Sequence, residues 1–173
     1  SAVYKIAKIK EEEARKRFGG DFRVLFVFSF NRKNWKNEKS KNLSDKIYKL
    51  INIKNSENPF SDRMIGIDLS GEENSGTKVS RWKVALKKAN ENGFKITIHI
   101  GDNSDKQTEL KLFEHLKYVK NGIDVLPNGS NVAHIKILVR DSPYAKIVDS
   151  LLGKIRKKNI TVEVCPIPYP DVD

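Results

Sequence analysis

Cysteine, histidine and long apolar runs are all scarce in this sequence. A single cysteine, Cys165, stands among 173 residues. No intrachain disulfide can form, and such usage suits a reducing compartment. No run of about 18 apolar residues occurs, so no membrane-spanning helix is expected. No N-terminal stretch reads as a signal peptide, and the expected location is cytoplasmic. The only histidines are His99, His115 and His134, and no His-x-His occurs. Aromatic residues make up 9% and form no ladder among the basic ones. The net charge of +11, from 33 Lys+Arg against 22 Asp+Glu, therefore reads as a solvated lysine-rich surface. A nucleic-acid partner would rest on charge alone and is not expected.

What is present is one core's worth of apolar material. Hydrophobic residues make up 38% and charged ones 32%, enough for one domain and too little for two. The expected organisation is a single domain over 1–173. A leading helix fills 1–20, strand–helix units fill 21–167, and a tail fills 168–173. Residues 22–30 (FRVLFVFSF) form a near-continuous apolar run, which predicts a strand buried on both faces. Four shorter strands are expected at 63–69, 95–100, 131–135 and 160–165.

Helical stripes separate them. Leu43, Ile47, Leu50 and Ile51 form one. Trp82, Leu86 and Ala89 form another, with Gly93 as a C-terminal stop. Leu112, Phe113, Leu116 and Val119 form a third. Ser142 and Pro143 open the last, whose face is Ile147, Val148, Leu151, Leu152 and Ile155. Residues 33–42 read as an exposed loop and His115 as a surface residue. Strand starts recur at intervals of about 30 to 40 residues, as in βα units with parallel strands. The fold class expected is α/β, a partial (β/α)8 TIM-type barrel with about five parallel strands. Five strands cannot close such a barrel, so open edges are expected, covered by other chains or by further segments.

Polar residues gather where the strands end, which in a parallel α/β barrel is the face that carries chemistry. Residues 65–73 (IGIDLSGEE) resemble the Gly-x-Asp-Leu-Ala/Ser-Gly-Asp/Glu motif of the adenosine deaminase superfamily. Residues 98–102 (IHIGD) resemble its His-Ala-Gly-Glu. Residues 131–135 (NVAHI) stand in the place of Arg-Ile-Gly-His-Gly, and 163–167 (EVCPI) resemble Glu-Val-Cys-Pro-x-Ser-Asn. The likeness runs from about residue 22 to residue 166. It is nearest to the adenosine deaminase-like branch that acts on N6-substituted AMP.

The resemblance implies a mononuclear zinc hydrolase, in which metal-bound hydroxide attacks C6 of a purine nucleoside or nucleotide. It implies His99 as a zinc ligand and Asp102 in the place of a glutamate that passes a proton to the ring. His134 would orient the hydroxide, and Gly71 would admit the purine edge to the backbone. Asp68 reads as structural, bonding backbone amides at its strand end, and Cys165 as buried packing. The family also draws ligands from a His-x-His and an Asp-Asp pair, which this sequence lacks. Ile135 replaces a glycine, and Asp102 is one methylene shorter than glutamate. The expectation is a deaminase-like domain that is inactive as it stands and binds no zinc alone. The alternative is a non-catalytic structural subunit of a larger assembly.

Overall fold

The computed structural model describes residues 2–31, 40–71, 79–101, 109–135 and 144–163, with the side chains of 40–42 and 109–112 left aside. Helix α1 (Ala2–Phe18) leads into β1 (Phe26–Asn31), α2 (Ser40–Lys54) and β2 (Met64–Ser70). Then come α3 (Lys83–Glu91), β3 (Lys95–His99), α4 (Glu109–Val125), β4 (Asn131–Ala133), α5 (Ala145–Lys157) and β5 (Thr161–Glu163). The five strands form one sheet in the order β1-β2-β3-β4-β5, and each neighbouring pair is parallel. Strands added in chain order through right-handed crossovers place every connecting helix on the same side of the sheet. This is the arrangement of a partial TIM-type barrel.

Register divides the sheet into an apolar and a polar face. Side chains alternate along each strand, and paired residues of parallel neighbours point the same way. Phe28, Ile67 and Ile96 therefore form one lateral row, and Phe30, Leu69, Ile98, Val132 and Val162 the next. Ile67, Leu69, Ile96, Ile98 and Val132 are fully buried in these rows. Against them lie Leu43 and Ile47 of α2, Leu86 and Ala89 of α3, Leu116 and Val119 of α4, and Val148 and Leu151 of α5. Each such Leu or Ile contributes about 1.5–3 kcal/mol by leaving water. The opposite face carries Ser29, Asp68, Thr97, Asn131 and Thr161 in one paired row, and Asn31 with Ser70 in the next.

That two-faced build corrects the reading of the first strand. Burial along β1 alternates between half-buried and exposed, and Val27 on the polar side is 54% exposed. A run of apolar letters implied two covered faces, but β1 is an edge strand of the described sheet and every second residue along it is exposed. The strand also begins at Phe26, where pairing with Met64 starts, leaving Phe22 and Leu25 exposed outside it. At the other edge every residue of β5 is exposed.

Helix ends follow local chemistry. Gly93 takes a φ of 78°, with Phe94 N–H reaching Ala89 O at 3.0 Å and Gly93 N–H reaching Asn90 O at 2.9 Å. This is a Schellman closure, and glycine adopts its left-handed residue without strain. Asn159 (φ 51°) closes α5 the same way, through Ile160 N to Ile155 O at 3.0 Å.

Three further expectations are corrected here. Helix α2 already begins at Ser40, so the loop expected over 33–42 is shorter at its end. The described part of α5 begins at Ala145, behind Tyr144, whose side chain makes no capping bond; Ser142 and Pro143 lie outside the described residues. His115 is buried, not on the surface. It lies four residues before Val119 on α4 and shares that residue's inward side, so the buried arc is wider than the apolar letters alone indicate.

At the N-terminal end of β2 a buried ion pair ties α1 to the sheet. Arg63 grips Glu11 through two contacts, one of them Nη2 to Oε2 at 3.1 Å, and both residues are 5% exposed. Val24 N–H donates to Glu11 Oε1 at 2.7 Å. The Arg63 hydrogen bonds, then the Val24 amide, hold the Glu11 carboxyl down at about 2 against the opposing effect of burial.

Candidate functional site

The polar face converges at the C-terminal ends of β1 to β4. Asp68, on β2, points to the open side because Ile67 and Leu69 on either side of it fill the helix side. Its Oδ2 accepts the Ser29 hydroxyl at 2.8 Å, and Ser29 Oγ lies 3.2 Å from Ser70 Oγ. Its Oδ1 lies 3.2 Å from His99 Nε2 at the end of β3. The two atoms stand at ion-pair distance without a hydrogen bond between them. Asp68 was read as an anchor for backbone amides; these described partners are side chains.

His134 follows β4 directly. Its ring centroid is 4.9 Å from that of His99, with the planes tilted by 41°. The backbone puts it there through an uncommon conformation: φ at His134 is 71°, in the left-handed region. Its N–H reaches Glu163 O at 3.2 Å, while Ile100 N–H reaches Ala133 O at 3.1 Å. These bonds pin the end of β4 from both sides. Asn131, one register step below, donates to Glu163 Oε1 at 2.7 Å. Gly71 comes immediately after β2, exposed, with φ 94°. Asp102, Glu72, Glu73, Cys165 and Pro166 lie outside the described residues.

Sequence reasoning passed over Ser29 and gave Asn131 and Glu163 no role. The signal was present in Val27-Ser29-Asn31, whose period of two sets these residues on the face opposite Phe28 and Phe30. An apolar cavity of about 340 Å³ also lies between α4 and α5, lined by Phe113, Leu116, Ile147 and Leu151 among others. It belongs to the helix side of the sheet and shares no residue with this polar face.

No family model matches the sequence. An adenosine deaminase from Clostridium perfringens is 27% identical over 122 residues, covering 70% of this chain and 30% of that protein. Over that stretch the chain is similar in sequence to an adenosine deaminase. It spans about a third of the length of the relatives it matches. A crystal structure of an arabidopsis N6-mAMP deaminase aligns with 83% of the chain and 33% of its own, at 20% identity and a TM-score of 0.46.

A catalytic zinc ion usually takes three protein ligands and a water. Among the described residues no three His, Cys, Asp or Glu side chains are grouped to hold a metal. His99 Nε2 and Asp68 Oδ1 face one another at 3.2 Å rather than a shared third point. The described residues do not make up a zinc site by themselves. Among them, no helix is long and apolar enough to cross a membrane.

Proposed function

We propose that this chain forms one wall of a purine aminohydrolase site and that alone it neither holds zinc tightly nor turns substrate over. The observation that supports this reading most is the pair of imidazoles, His99 and His134, side by side at 4.9 Å on the open polar face above Asp68. Ring nitrogens so placed can hydrogen-bond the polar edge of a planar heterocycle. Gly71 carries no side chain to block a ring edge from its backbone, and its φ of 94° suits glycine. Asp102 would stand at the proton-transfer position. A carboxylate displaced by about 1 Å can lower a rate on the order of 100-fold.

In this reading residues 1–173 are one partial barrel domain. Its open edges at β1 and β5 are met by further segments or by other protein chains, which also supply the missing metal ligands. A second reading, a non-catalytic scaffolding subunit, is favoured by Asp102 in the glutamate position and by Ile135 beside His134.

The test uses metal analysis of the purified chain with an ammonia- or amine-release assay on adenosine, AMP and N6-methyl-AMP. The expected result is substoichiometric zinc and no turnover, with adenosine or AMP shifting the His99 and His134 resonances at millimolar concentration. Stoichiometric zinc with turnover abolished by His99→Ala would overturn the inactive reading. Histidine signals indifferent to every purine would leave the scaffold.

A further inference from the structure

We infer that the cavity between α4 and α5 is a binding site for a small anionic amphiphile, a free medium-chain carboxylate. The alkyl chain lies on its apolar floor and the carboxylate meets its lysine rim. The cavity holds about 340 Å³, within the range of small-ligand sites. Fully buried Leu116 and Leu151 form the floor, and half-buried Phe113 and Ile147 stand beside them. Tyr144 stacks on the Phe113 ring at 5.3 Å and 25°, which steadies that wall. The walls keep apolar surface in water that an alkyl chain would cover.

The rim carries charge of one sign. Lys117, Lys120 and Lys146 line the cavity, and no acidic residue lines it. Lys117 donates to Glu114 at 2.9 Å and leans over the Phe113 ring at 4.3 Å, and Lys120 lies 3.6 Å from Asp124. Lys146 is in no ion pair among the described residues. It stands in the first turn of α5, where the helix end adds partial positive charge. Lysine stems can lie along an apolar wall while their ammonium groups stay in water. The lining runs from Phe113 to Lys120 on α4, roughly 10 Å of helix, which is the reach of a medium-chain carboxylate. A partner helix, about 10–12 Å across with its side chains, is too wide to enter a cleft between neighbours whose axes lie about 8–10 Å apart. The cleft is also remote from the sheet edge at β1, because it lies between two consecutive helices.

Titration of the full chain with octanoate, followed through the methyl signals of Leu116, Ile147 and Leu151 in ¹H–¹³C spectra, tests this. The expected result is saturable shifts of those methyls at millimolar concentration. Octanol, which lacks the charge, should bind about fivefold more weakly. Lys146→Glu, at an exposed position, should weaken octanoate about tenfold while circular dichroism stays unchanged. Ser150→Phe, also exposed and part of the lining, should place a ring in the cavity and abolish the shifts. Three results would overturn the inference. One is methyl signals indifferent to octanoate. Another is octanol, or octanoate on Lys146→Glu, binding as tightly as octanoate on wild type. The third is shifts of the same methyls that follow protein concentration without octanoate, which would make the cleft a contact between copies. No purine enters this readout, so it stands or falls separately from the deaminase reading.

Discussion

His134 sits at the centre of the polar face in a backbone conformation that side chains resist, and this strain can be measured. A left-handed residue bearing a Cβ costs about 1–2 kcal/mol relative to one that escapes the clash. His134 holds φ at 71° because its N–H is tied to Glu163 O and the preceding carbonyl to Ile100 N. Replacing it by alanine removes the ring but keeps the strain. Replacing it by glycine removes both, at a cost of about 0.4–1 kcal/mol in extra freedom of the unfolded chain. His134→Gly should therefore be more stable than His134→Ala by about 0.5–1 kcal/mol. That corresponds to roughly 1–4 °C in Tm for a chain of this size.

Two further sites check the cause. At Asn159, also left-handed at φ 51°, glycine should again exceed alanine. At Thr97, within β3, the order should reverse, since there glycine brings only its entropy cost. Urea unfolding of the full chain with each pair of variants gives the comparison. Alanine equal to or better than glycine at position 134, with the expected orders at 159 and 97, would refute the strain. Strain of this kind concentrates where a side chain must be presented against backbone preference. The glycine variant should therefore gain stability over alanine while losing any response of the polar face to purines.

The Glu11–Arg63 pair should make the fold acid-sensitive. Glu11 is lowered from 4.5 to about 2, so its contribution is complete above pH 4.5 and is lost as pH falls from there toward 2. Glu11→Gln should flatten that part of the stability–pH curve, read by chemical denaturation at several pH values; an unchanged slope would show that other carboxylates govern it. Ile98→Ala empties a fully buried position between β3 and the helices. It should lower stability by about 2–5 kcal/mol. A loss under 1 kcal/mol in urea unfolding would mean that the apolar layer is not packed as described. Gly122 on α4 has room for little: an added Cβ would come within 3.0 Å of Ile100 Cδ1. Gly122→Val should cost about 1–3 kcal/mol by overpacking β3 against α4, and a thermal midpoint equal to wild type would contradict that contact.

The sequence by itself determined the alternation of strands and helices. Each element writes its own period locally: Leu43, Ile47 and Ile51 repeat at helical spacing, and Ile96 and Ile98 alternate with Thr97 and His99. Gly93 marked a helix end because only a residue free to take positive φ closes a helix that way. Gly71, His99 and His134 were legible as strand-end residues because they stand at or just past recognisable strands, whereas the described structure does not reach Asp102. Tertiary structure decided everything that depends on what lies across the sheet. β1 is as apolar in letters as an interior strand, but its place at the edge leaves Val27 exposed. His115 looks polar and solvated, yet the packing of α4 on the sheet buries it. Ser29 meets Asp68 across 39 residues of chain and Asp68 meets His99 across 31. Only parallel register places them side by side, because no local pattern encodes which strands become neighbours or which of their two faces a helix will cover.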